Sequence, residues 1–92
     1  EGALLDFQSA IDISPKFSST YVNRALLYRD LNQFDNALED LNKAIEINQK
    51  EAVAFFYRGT INKILNKLDE AKSDFKKASS LGHLGAAKLL KN

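Results

Sequence analysis

Residues 37–47 read ALEDLNKAIEI; 34 positions on, residues 71–81 read AKSDFKKASSL, and 34 positions back, residues 3–13 read ALLDFQSAIDI. Ala3, Ala37 and Ala71 align, as do Phe7, Leu41 and Phe75, then Ala10, Ala44 and Ala78, then Ile13, Ile47 and Leu81. Four columns that keep their size class through three copies define a repeat of fixed period. The segment between them recurs twice: Tyr21 with Phe55, Arg24 with Arg58, Ala25 with Gly59, Asn32 with Asn66, and Asp35 with Asp69.

Each 34-residue unit reads as two helices. Residues 18–31 and 52–65 contain no proline and space their apolar residues at helical intervals, which predicts the first helix of each pair. Asn32 and Asn66 follow, and asparagine is the residue after glycine that best accepts the left-handed conformation that ends a helix. Second helices are expected from just beyond, running to about Ile47 and Ser80. Asp35, Asp69 and Glu70 stand in their first turns, where the helix dipole favours negative charge, while Lys76 and Lys77 lie nearer the opposite end. On this reading residues 1–17 are the second helix of a truncated unit, 18–51 and 52–82 are full units, and 83–92 form a terminal cap.

Alanines seven apart at 37 and 44, and again at 71 and 78, let a partner helix approach closely, with Ala25 or Gly59 reciprocating. Tyr21, Phe34, Leu41, Phe55, Leu68 and Phe75 are expected to fill the space between as core.

The order of these residues resembles the tetratricopeptide repeat over nearly the whole chain. Tyr21, Arg24, Ala25, Tyr28, Ala37, Leu41 and Ala44 follow its pattern in one copy, and Phe55, Arg58, Gly59, Ala71, Phe75 and Ala78 in the next; Pro15 stands where an earlier unit would close. The resemblance implies an all-α, right-handed superhelical solenoid of antiparallel helix pairs. Departures are Asn62 in place of an aromatic, Gln49 in place of the closing proline, and Arg24 and Arg58 where leucine is commoner. The run from Leu81 to Gly85 also resembles the ends of Sel1-like units, and Ala86, Ala87, Leu89 and Leu90 are expected to form a short capping helix over the last apolar face.

Composition narrows the function. Thirteen basic against twelve acidic residues give a net charge of +1, without the basic excess of a protein that neutralises many phosphates, so nucleic acid is not an expected partner. No apolar run approaches the roughly 20 residues that span a bilayer, and a membrane is not an expected partner either. The charge is uneven: residues 1–47 carry eight acids and four bases, residues 48–92 four acids and nine bases. With no cysteine and one histidine, His83 in a Gly-flanked turn reads as a solvated turn residue rather than a metal ligand. No serine lies in a nucleophile elbow and no lysine completes a phosphate loop; Glu39-Asp40 and Asp69-Glu70 read as exposed helix charge. No catalytic residue, cofactor or metal is expected.

One feature exceeds structural need. At about 100° per residue, Phe55, Arg58, Gly59 and Asn62 fall on one side of their helix, and Val53, Phe56, Tyr57 and Ile64 on the other. In the tetratricopeptide family the first helices line a concave groove that holds peptides or proteins. By that resemblance the lining here is Val22, Asn23, Leu26 and Arg29 from one unit and Val53, Phe56, Tyr57, Thr60, Lys63 and Ile64 from the next. Phe56, turned from the packing centre at Phe55, is expected to tolerate a charge without loss of fold. Family grooves that clamp a C-terminal carboxylate use Lys, Asn and Arg; Asn23 matches the middle asparagine, but Val53 and Tyr57 occupy the next two basic positions, which disfavours that use. The alternatives are a structural or self-associating element, and an accessory domain of a larger protein. The chain opens inside an apolar pattern as though cut from a longer one. Leu4, Phe7, Ala10 and Ile11 are therefore expected to face a missing helix, with self-association through residues 1–13 covering them.

Overall fold

The computed structural model describes residues 2–13 and 17–91, apart from the side chains of residues 3, 12, 13 and 91; the expected closing proline, Pro15, lies outside them. Every regular element among the described residues is helical: α1 (Gly2–Ile13), α2 (Ser18–Asp30), α3 (Phe34–Ile47), α4 (Ala52–Ile64), α5 (Leu68–Ser80) and α6 (Leu84–Lys91). The chain divides into two compact units, residues 1–49 and 50–92. In the first, α2 packs against α3 and α1 against α2; in the second, α5 packs against both α4 and α6.

Three helix ends close by one mechanism. Asn32 and Asn66 adopt φ of 61° and 63°, and Gly82 a φ of 98°, so each turns the chain through the left-handed region. The N–H of Asn32 donates to the Arg29 carbonyl and that of Gln33 to the Tyr28 carbonyl. Asn66 with Lys67, and Gly82 with His83, repeat this pair of bonds at the ends of α4 and α5. The carbonyls that a helix end leaves orphaned are thereby satisfied. The expected dipole pattern is present as well, with Asp35, Asp69 and Glu70 in first turns and Arg29, Lys63 and Lys77 in last turns.

In the first unit Ile11, Tyr21, Val22, Ala25, Ala37, Leu41 and Ala44 are buried. Leu41 is fully so, worth roughly 1.5–3 kcal/mol against its exposed state. Of the four α1 residues expected to face a missing helix, Ile11 departs from the expectation, being buried in the first unit, where α1 packs on α2; Leu4 and Phe7 are half-buried and Ala10 is exposed. In the second unit Ala54, Phe55, Ile61, Ala71, Phe75, Ala78 and Ala86 are buried. Phe34 and Leu68, expected in the core, are half-buried and exposed respectively. Each opens its helix just after a turn, where the preceding helix has ended and cannot cover it.

The hairpin of the second unit approaches closely at Gly59. A Cβ placed there would stand 2.8 Å from Cε1 of Phe75 and 3.2 Å from the Ala71 carbonyl oxygen. The first unit carries Ala25 and Leu41 at the corresponding positions, so a larger residue on the first helix is matched by a smaller one on the second. Gly59→Ala should therefore destabilise: overpacking costs typically 1–3 kcal/mol, which exceeds the gain of about 1 kcal/mol in helix propensity. Combining it with Phe75→Leu should recover most of the loss relative to the sum of the single variants. Chemical denaturation of the four proteins of this cycle checks it, and additive effects would show that the two positions do not compete for one space.

Candidate functional site

The two arginines that stand where leucine is commoner are held by buried carboxylates sixteen residues on. Nε and Nη2 of Arg24 donate to the two oxygens of Asp40, both at 2.7 Å, and Nη1 donates to Oε1 of Gln8 on α1 at 2.8 Å. In the second unit Arg58 donates to both oxygens of Asp74 at 2.8–3.1 Å, and Nδ2 of Asn62 adds a bond to Asp74 at 3.0 Å. Asp40 and Asp74 are each only 5% exposed, so Asp40 is not the exposed helix charge expected of it. Asn62 replaces an aromatic because its amide completes this carboxylate's shell. Hydrogen bonding to Asp40 raises the Arg24 guanidinium above its ordinary range, against the opposing effect of burial. Forked pairing of this kind fixes direction as well as distance, binding the second helix of each hairpin to its first in one register. Asp40, Asp74, Arg24 and Arg58 keep the 34-residue spacing in sequence, which was the available signal for these pairs.

Phe56 and His83 differ most from expectation. The rings of Phe56 and His83 stack at 4.2 Å between centroids with 15° between planes, and Phe56 also meets Phe75 at 5.8 Å and Tyr57 at 5.4 Å. Nδ1 of His83 accepts the Ala86 backbone N–H at 3.1 Å. His83 therefore caps α6, and it is half-buried rather than solvated. Angular position on α4 alone could not reveal this, since the turn that covers Phe56 begins 25 residues later.

The remaining expected lining residues fall as follows. In the first unit Val22 is 5% exposed and belongs to the core; Asn23 is exposed, while Leu26 and Arg29 are half-buried. Arg29 pairs with Asp30 at 3.1 Å. In the second unit Val53, Lys63 and Ile64 are exposed, and Tyr57 and Thr60 are half-buried; the Thr60 hydroxyl donates to the Tyr57 carbonyl at 2.8 Å. Each unit thus keeps its own set of accessible first-helix residues, without Val22; Phe56 is half-buried, like Tyr57 beside it, with the His83 ring stacked on it. Among the described residues no group of three or more His, Asp or Glu side chains gathers as a metal site, and no helix is long and apolar enough to cross a membrane.

Family models of the tetratricopeptide repeat match residues 18–51 and 52–81. The chain belongs to the tetratricopeptide repeat family. No curated protein sequence matches it, but solved tetratricopeptide structures do. The first such domain of Spaghetti (RPAP3), bound to the HSP90 peptide SRMEEVD, is 30% identical with a TM-score of 0.89, over 97% of this chain and 72% of that one. The Arabidopsis OM64 domain is 31% identical with a TM-score of 0.87, over 97% and 78%. YrrB, described as having an unusual peptide-binding site, is 30% identical with a TM-score of 0.81, over 84% of this chain and 40% of that one. The tetratricopeptide columns at Ala25, Ala37, Ala44, Ala71 and Ala78 are the buried ones here.

Phe56→Glu should consequently destabilise the second unit, by about 2–3 kcal/mol, since it removes a half-buried ring from three ring contacts and places a carboxylate among them. His83→Ala should cost about 1–2 kcal/mol, the sum of a lost cap and a lost stack. Thermal unfolding followed by circular dichroism checks both; a Phe56→Glu protein that melts like the parent would return this ring to the surface.

Proposed function

We infer that the chain is a protein-interaction scaffold whose first helices take a peptide or a segment of a partner protein. The observation that carries this is the set of accessible residues on α2 and α4 that serve no packing role: Asn23 on one, Val53 and Ile64 on the other, with Ile64 57% exposed despite its size. Leu26, Tyr57 and Thr60 extend these faces, and Arg29 and Lys63 supply their polar margins. Membership in the tetratricopeptide family supports the reading, as do related domains that hold peptides. The role is one of binding rather than catalysis. We read the segment from Leu81 onward as a Sel1-like end that caps the last repeat.

The chemistry expected of the ligand differs from that of the HSP90 peptide. A C-terminal carboxylate needs cations around it, and the resemblance puts Val53 and Tyr57 where two of them would stand. An apolar or extended segment suits these faces better. Peptides selected against the immobilised chain should lose about tenfold in affinity on Val53→Glu or Ile64→Glu, while the melting temperature stays within about 2 °C, as exposed substitutions allow. Binding indifferent to both substitutions would move the ligand off these helices. In the same assay SRMEEVD should bind weakly, and Val53→Lys with Tyr57→Arg should raise its affinity about tenfold through charge-assisted hydrogen bonds.

A further inference from the structure

The second unit contains a cleft of about 310 Å³ that shares only Lys63 with the first-helix faces. Leu68 and Phe75 of α5 and Leu89 and Leu90 of α6 form its apolar wall, Ala71 leaves room at the floor, and Lys63 and Lys72 stand at its edge. Both lysines are exposed, and neither has a hydrogen-bond or ion-pair partner among the described residues. No acidic residue lines the cleft; Asp69 and Glu70 belong to the same turn of α5 as Leu68 but lie outside the lining. Residues 50–92 as a whole carry nine basic and four acidic side chains, and one of the four, Asp74, is engaged by Arg58 and Asn62.

Resting on the scaffold reading, we propose that this cleft is a second binding site that takes a short extended segment in which a large aliphatic side chain is flanked by carboxylates. Size sets the first part. About 310 Å³ lies at the small end of ligand sites, roughly 300–1,000 Å³, enough for one or two side chains and too little for a helix face. Charge sets the second. Two unpaired ammonium groups lining an apolar hollow favour anionic groups beside an apolar one, and an extended chain supplies that pattern when the carboxylates stand two positions from the aliphatic residue, because side chains two apart share a face. Leu68, 57% exposed, gains a partner on the same occupation.

The test uses a fluorescein-labelled hexapeptide amide, Glu-Ser-Leu-Ser-Glu-Ser, against the whole chain, with its glutamine counterpart as control. Saturable binding is expected, with chemical-shift changes at the backbone amides of Lys72 and Leu89. Lys72→Glu combined with Leu89→Ser should weaken it about tenfold, as should replacement of glutamate by glutamine. Val53→Glu should leave it unchanged, and circular dichroism should give the variants the parent's melting curve. Absent binding, or equal affinity for the double variant or for the glutamine peptide, overturns the proposal. Loss on Val53→Glu, with shifts on α2 and the start of α4, overturns the cleft while leaving the first-helix reading in place. Cleft amides that shift with protein concentration alone would identify a second copy as the occupant and overturn it too.

Discussion

Paired helices in each unit approach one another across alanine and glycine, and that closeness constrains every other contact. Ala25, Ala37, Ala44 and Ala78 are fully buried, and at Gly59 even one methyl group would meet Phe75 and the Ala71 carbonyl. A larger side chain at any of these positions would separate the backbones, so the large residues are confined to the spaces between them. The difference between Ala25 with Leu41 and Gly59 with Phe75 shows the two units meeting this constraint with different volumes on the same backbone pattern.

Within that frame the Arg–Asp pairs specify register rather than adding bulk stability. Replacing a buried pair with apolar residues is often neutral or better, whereas removing one partner is costly. The gain lies in direction: a guanidinium fork donates to its carboxylate in one plane, and Arg24 and Arg58 each meet theirs across the hairpin. Gln8 and Asn62 satisfy what remains, and no buried side-chain nitrogen or oxygen among the described residues is left without a partner. Such an arrangement makes each unit a stiff platform, the property required of a surface that presents side chains to a ligand with little ordering cost.

The same packing decides which residues remain for binding. Val22 is drawn into the core of its unit, and Phe56 is half-buried with the ring of His83 stacked on it. Asn23, Val53, Lys63 and Ile64 are left accessible because no element of their own unit covers them. At Leu68 the helix begins beyond the end of α4, and the apolar side chain becomes the wall of a cleft instead of part of the core.

Much of this was legible in the sequence, for a physical reason. A 34-residue period, helix-ending asparagines and small residues at spacing seven are local properties, each acting within one helix or one turn, and they settled the number of helices, their ends and their close-contact faces. The burial of Asp40 and Asp74 and the partial cover of Phe56 by His83 are different in kind. They depend on groups 16 to 27 residues apart in the chain, and a helical wheel gives the angle of a side chain without saying what stands opposite it. Sequence alone therefore determined a tetratricopeptide-like helical repeat and the columns that hold its hairpins together; only tertiary structure decided which side chains those hairpins consume and which they leave exposed, because burial is a property of what packs against a face.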